Sequence, residues 1–226
     1  MTSKSTIVAK PAKNPRVLQS RVKKFLAVPR YGPEVTDILG RLSELGRVAV
    51  FGGALRDLAL YGPEACPSDI DLVIECEGQR DLAHFLMPFQ PQRNRFGGFR
   101  FRTDRWSFDA WCFHDTWAVR EGLVEARLVD DLISTTFFDW DALLYVHGPG
   151  TVKALPDYFD RLRSLTVDVN LAANPNPLGN TIRALRIFAL GRACLAYIPQ
   201  MSGRISGQFP PGARRRGCKV PVISGL

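Results

Sequence analysis

Two carboxylates two residues apart, Asp69 and Asp71, stand at the head of the apolar run DIDLVIE, residues 69–75. On a β-strand, residues two apart point to the same face. The pair therefore projects together, while Ile70, Leu72 and Ile74 turn to the core. Carboxylates held side by side repel, and one becomes harder to ionise unless a cation neutralises them. A divalent ion with oxygen ligands is the natural partner. Taken alone, so short a motif also reads as a pair of solvated acids at a strand edge.

The preceding segment changes that balance. RVAVF, residues 47–51, is β-branched and apolar and ends at Gly52-Gly53, after which ALRDLAL reads as a short helix. A strand, a double glycine and a helix N-terminus form a geometry in which backbone N–H groups receive phosphates. Gly52 and Gly53 would let the main chain approach such a ligand with no Cβ in the way; an ordinary tight turn is the plainer alternative. A third acid, Asp109, lies in WSFDAWCF on the strand face shared with Trp111 and Phe113. A carboxylate in so apolar a strand is costly to bury unpaired. It serves either as a further metal ligand or as the partner of an arginine such as Arg100 or Arg102.

The elements that must position these groups follow from periodicity. PEVTDILGRLSELG, residues 33–46, spaces Val35, Ile38, Leu39, Leu42 and Leu45 as one helix face, with Gly46 as a stop. RDLAHFLMPF reads as a helix, and GGFRFRTDRWSFDAWCF as two strands around Thr103-Asp104. LISTTFFDWDALLYV is apolar enough for a buried helix, with a strand left open by its threonines and aromatics. DYFDRLRSLTV and NTIRALRIFALGRACLAYI read as further helices. SKSTIVAKPAKNPR reads as a flexible arm, and the chain from Pro199 onward as a disordered basic tail. Strands interleaved with helices, then helices alone, give an α/β (α+β) head with a mixed sheet flanked by helices and followed by a short helical segment.

Charge is distributed unevenly. All 22 acidic residues lie between Glu34 and Asp168, and eight Lys/Arg flank this stretch on each side without an acid among them. An acidic centre suits cations, and basic ends suit a polyanion such as nucleic acid. The basic N-terminus also allows an organellar address as an alternative to a cytoplasmic one. The five cysteines show no CxxC pair, which argues against a disulfide framework or a zinc site and for a reducing compartment. No apolar run has the length of a membrane span.

GGALRD…SDIDLVI resembles the GGxxRD…DxDxxV signature of the head domain shared by CCA-adding enzymes and bacterial poly(A) polymerases, within the polymerase-β-like nucleotidyltransferase superfamily. FGGFRF is similar to that family's FGT segment, Asp109 stands at its third carboxylate, and DLISTTFFDWDALLY occupies the place of DLxRRDFTINALAY. TIRALRIFAL resembles the arginine-bearing helix that follows. The resemblance implies metal-dependent transfer of a nucleoside monophosphate from an NTP (ATP or CTP) to a hydroxyl, with RNA (tRNA or another 3′ end) as the expected acceptor. It implies that Gly52 and Gly53 cradle the triphosphate, with Arg56 and Asp57 bracing the turn. Asp69, Asp71 and Asp109 would bind two Mg²⁺ ions that stabilise the entering and leaving oxygens. Asp141, Arg183 and Arg186 would contact the nucleotide.

The chain departs from the pattern at Thr135, Thr136 and Phe137, where the family has Arg-Arg-Asp, and at Asp141, where it has asparagine. Hydroxyls and aromatics thus replace the charged groups that choose the base. This leaves two further readings beside an RNA acceptor: a small-molecule or protein acceptor, and a non-catalytic module that holds nucleotide or RNA. The expected organisation is a basic arm over residues 1–33, a nucleotidyltransferase head over 34–150, a helical neck-like segment over 151–198 and a tail over 199–226.

Overall fold

The computed structural model describes residues 9–30, 32–63, 69–189 and 194–195. The expected tail therefore lies outside the described residues, as does the start of the arm.

The chain opens with helices α1 (Pro15–Leu26) and α2 (Gly32–Leu42), then alternates β1 (Val48–Phe51), α3 (Gly53–Tyr61), β2 (Ile70–Ile74) and α4 (Gln79–Leu86). Strands β3 (Gln92–Arg93), β4 (Phe99–Arg102) and β5 (Ser107–Cys112) follow, then a single turn of helix, α5 (Trp117–Arg120). Strands β6 (Leu143–Val146) and β7 (Thr151–Ala154), helix α6 (Tyr158–Arg163), β8 (Thr166–Val167), α7 (Pro177–Ala189) and β9 (Cys194–Leu195) complete it. Seven strands form one sheet in the order β3-β4-β5-β2-β1-β6-β7. Only the β2–β5 pair in it is parallel, so the sheet is mixed, as expected.

Strand alternation divides the core in two. Val48, Val50, Ile70, Leu72, Ile74, Phe108 and Ala110 face α1, α2, α3 and α4, which contribute Leu18, Val22, Leu39, Leu55 and Leu82 among others. On the opposite face, Ala49, Val73, Leu144 and Val146 pack under Phe113, Val129 and Leu132. That second cluster covers one end of the face. Asp71, two residues before Val73 on β2, lies at the other end of the same face.

Three expectations need correction. The stretch around Pro15 is not a flexible arm: Asn14 caps α1 by accepting from the Val17 N–H at 3.0 Å, and Pro15 occupies the first turn, where its missing N–H costs nothing. Leu18, Val22 and Phe25 recur at helical spacing and are buried, each contributing roughly 1.5–3 kcal/mol. The segment LISTTFFDWDALLYV is not a buried helix: it carries the end of the 3₁₀ turn Val129–Ser134 and the turn Asp139–Asp141, and its last part is the strand alternative, β6. Its hydroxyls bond back to the main chain, Thr135 Oγ1 to the Leu132 carbonyl at 2.7 Å and Thr136 Oγ1 to that of Phe138 at 2.8 Å, which competes with helix formation. Finally, Cys76 and Cys112 form a disulfide with their Cα atoms 5.7 Å apart. Parallel pairing places Ile74 beside Cys112, so two cysteines 36 residues apart in sequence meet at one end of β2 and β5.

The sheet also continues past the expected head boundary at 150. The turn Gly148–Gly150, with φ of 83° and 67° at its two glycines, returns the chain as β7 against β6.

Candidate active site

Strand β1 delivers the chain to Gly52, whose φ of 68° and ψ of −127° fall where a side chain is strained. The Gly52 N–H donates to the Leu143 carbonyl at 3.2 Å, and the Arg56 N–H donates back to Gly52 at 3.1 Å, opening α3. The first N–H groups of a helix have no acceptor within it. Here they stand next to a carboxylate: a Cβ on Gly52 would lie 3.8 Å from Asp71 Oδ2. Gly53 is under no comparable demand, since its Cβ would meet only the Arg56 guanidinium, at 3.6 Å.

Asp71 pairs in register with Phe51 on one side and Asp109 on the other. It is half-buried, and its carboxylate accepts no hydrogen bond from the described residues. Burial, and after it the nearby charges of Asp69, Asp109 and Asp141, push its pKa up to about 7, with Arg183 opposing. Asp69, just before β2, adds a second negative charge beside it.

Asp109 is differently placed. Its carboxylate is buried, and it accepts from Arg100 Nε at 3.1 and 3.2 Å, from Arg100 Nη2 at 2.5 Å and from Asn94 Nδ2 at 3.3 Å. Of the two roles open to it from sequence, the arginine partnership is the one present. Asn94 also orders the turn between β3 and β4, since its Oδ1 accepts from the N–H groups of Phe96 and Gly98. Gly98 of FGGFRF makes room for an indole, because a Cβ there would fall 2.2 Å from Trp111 Nε1.

A second charge network backs the glycine turn. Arg56 donates from Nε and Nη2 to Asp57 Oδ1, at 3.1 and 3.0 Å, and from Nη1 to Asp141 Oδ1 at 2.5 Å. Burial alone would weaken its hold on its proton, but Asp141 and Asp57 outweigh that and raise its pKa. Asp141 is buried, and its other oxygen meets Arg183 Nη1 of α7 at 3.3 Å. Asp141 thus ties α3 and α7 together, and Arg183, more than half exposed, borders the Asp71 face. The side chain of Arg186 lies outside the described residues.

The turn carrying Asp141 is itself held from behind. Asp139 accepts from the Asp168 N–H at 2.9 Å and from Arg161 Nε, and the buried Tyr158 hydroxyl donates to the Trp140 carbonyl at 3.0 Å. Asn170 Nδ2 donates to Thr136 Oγ1 at 3.1 Å and to the Ile133 carbonyl at 2.9 Å. Sequence reading missed these supports, because each joins residues more than fifteen positions apart. Thr135 and Thr136, two of the positions that depart from the resembled pattern, donate their hydroxyls to main-chain carbonyls, and Thr136 also accepts from Asn170.

These donors decide what cation the site could take. Asp69 and Asp71 suit Mg²⁺, which commonly takes one or two carboxylates and completes its shell with substrate phosphates and water. Asp109 does not suit a second ion as it stands, because both its oxygens are engaged. Among the described residues, no three His, Cys, Asp or Glu side chains are grouped to hold a metal.

The basic helix α1 lies elsewhere. Its buried residues pack with Ile70, Leu72 and Ile74, so it covers the sheet face opposite Asp71 and Asp109. Arg16, Lys23 and Lys24 are exposed on its outer side. Among the described residues, no helix is long and apolar enough to cross a membrane.

No protein-family model and no curated protein matches the sequence. Solved structures do match. The Thermotoga maritima CCA-adding enzyme complexed with tRNA is 17% identical with a TM-score of 0.54, over 78% of this chain and 42% of that one. A CCA-adding enzyme complexed with CTP is 17% identical with a TM-score of 0.54, over 85% and 44%. A tRNA-processing enzyme in an apo form is 20% identical with a TM-score of 0.51, over 70% and 44%. The chain spans less than half the length of these proteins. Its mixed sheet and flanking helices share the fold of the part of these CCA-adding enzymes that it matches.

Proposed function

We propose that this chain transfers a nucleoside monophosphate from an NTP to the 3′ hydroxyl of an RNA. The observation that carries this reading is Asp71: a half-buried carboxylate without a hydrogen bond from the described residues, beside Asp69 and against the Gly52 turn at the head of α3. Acids that repel one another next to a helix N-terminus call for a cation and an anion together, and a magnesium nucleotide supplies both. Asp69 and Asp71 would hold the Mg²⁺, which neutralises triphosphate charge when bound. Gly52 and Gly53 let the phosphates approach the α3 N–H groups, while Arg56 keeps the turn in place through Asp57 and Asp141. Arg183 offers its exposed edge to the nucleotide. In the reaction, the hydroxyl oxygen attacks the α-phosphorus, and a new P–O ester bond forms. The bond to the oxygen bridging the β-phosphorus breaks, releasing pyrophosphate and a proton. That structures of this fold are complexes of CCA-adding enzymes with tRNA and with CTP supports nucleotide and RNA as partners.

A second reading, a small-molecule or protein acceptor, is favoured by the inward use of Thr135 and Thr136 and by the position of α1 on the opposite face. Incubating the protein and Mg²⁺ with each α-³²P-labelled NTP, in the presence of total RNA, metabolites and proteins, separates the two. Label at RNA 3′ ends, lost in Asp71→Asn, supports the first. Label confined to metabolites or protein moves the assignment to the second, and no label in any fraction removes both.

A further inference from the structure

Arg100, Asp109 and Asp71 stand in one row across three neighbouring strands, Arg100 opposite Asp109 on β4 and β5, and Asp109 beside Asp71 on β5 and β2. Residues in register on adjacent strands share a face, so the row runs from a fixed positive charge to the carboxylate that accepts no hydrogen bond from the described residues. The Arg100 guanidinium grips both oxygens of Asp109 from Nε and Nη2. Its side chain is 56% exposed while that of Asp109 is 5% exposed, so the arginine lies over the acid and covers it. Asn94 closes a further direction.

We infer that Arg100 stands in this chain where a second cation would otherwise sit: Asp109 is the anchor of Arg100, and one divalent ion, on Asp69 and Asp71, serves the site. The inference rests on the nucleotidyltransferase reading. An ion approaching Asp109 would have to displace a two-pronged charge-assisted grip, the strong form of such a bond, and would then face the freed guanidinium at close range. A guanidinium keeps its charge under all working conditions and offers five donors. Two of its nitrogens hold Asp109. The remaining one, Nη1, makes no hydrogen bond to the described residues and is open to a phosphate oxygen or to the attacking group. Arg100 is thus a positioning and charge-stabilising residue, and Asp109 acts through it.

The count of bound ions tests this directly. Mn²⁺ is titrated into the full chain with a non-hydrolysable NTP analogue, and bound ion is read by electron paramagnetic resonance. One ion per chain is expected in the wild type and in Asp109→Asn. Arg100→Gln, which uncovers Asp109, is expected to bind two. Two ions in the wild type falling to one in Asp109→Asn would overturn the inference and leave the nucleotidyltransferase reading intact. One ion in every variant, Arg100→Gln included, would overturn it too, since Arg100 would then not set the count. No nucleotide-dependent Mn²⁺ binding in the wild type would overturn the nucleotidyltransferase reading and this inference with it. If Arg100→Gln does not fold, the wild-type and Asp109→Asn counts still decide.

Discussion

Replacing Asp71 by asparagine is expected to stabilise the protein at neutral pH while abolishing its response to Mg²⁺. Asp71 is pushed from an ordinary 3.8 to about 7, by burial first and then by the charges of Asp69, Asp109 and Asp141. A carboxyl group raised on folding binds its proton more tightly in the folded state. Stability is therefore lost as pH rises from about 4 to about 7, and the full penalty is present above that window. Each tenfold change in acidity is worth about 1.4 kcal/mol, which puts the ceiling near 4 kcal/mol; solvent screening at this half-buried group brings the expected gain to about 2 kcal/mol. Asparagine keeps the shape and cannot ionise. Urea unfolding in chelator, with the disulfide intact in both proteins, should show equal stabilities near pH 4 and a gap that opens to about 2 kcal/mol by pH 8. Mg²⁺ at 100 times its dissociation constant should raise the wild type by about 2.7 kcal/mol and leave Asp71→Asn unmoved. A gap of the same size at pH 4 and pH 8, or a wild type more stable than the variant at pH 8 in chelator, would refute the electrostatic account of the site.

Gly52→Ala should cost roughly 1–3 kcal/mol through its positive φ, and Gly53→Ala much less, as read by thermal unfolding; equal costs would show that Gly52 carries no special backbone demand. Arg56→Met should cost roughly 3 kcal/mol because it strips the principal partner from the buried Asp141, whereas Arg183→Met, at an exposed side chain, should scarcely change urea stability. Breaking Cys76–Cys112 with reductant, or with Cys76→Ser, should cost about 2–4 kcal/mol; in denaturant without reductant, three of the five cysteines should react with a thiol reagent, and five would mean that the bond does not form. If the outer side of α1 holds RNA, neutralising Arg16, Lys23 and Lys24 together should flatten the salt dependence of RNA binding by up to about 0.7 per lost phosphate contact. An unchanged slope in filter binding would remove α1 from the interface. Substitution is the right perturbation there, because deleting α1 would also remove the buried Leu18, Val22 and Phe25.

What the sequence determined by itself is local. The β-branched run before Gly52, the alternation of DIDLVIE and the helical spacing of Val35, Ile38, Leu39 and Leu42 each carry their own period, and β1, β2 and α2 form where that period places them. Gly52 could be singled out because a glycine between strand and helix has a backbone reason to be there, and its φ of 68° supplies it. In α1 the apolar period is present at Leu18, Val22 and Phe25, but the stretch that reads as a flexible arm already contains Asn14, the cap of that helix, and Pro15, its first residue. Tertiary structure alone decided the partners of each charge. Whether Asp109 met a cation or Arg100 depended on β4 lying beside β5 in a register that puts the two residues opposite each other. Asp141 could not be known as the link between Arg56 and Arg183 until α3 and α7 converged on it. The same holds for Cys76 and Cys112, brought together only by the parallel pairing of β2 with β5. A period is written in neighbouring residues, and one chain segment suffices to express it. A buried charge or a thiol takes whatever partner the assembled sheet puts within a few ångströms, and sequence distance says nothing about that.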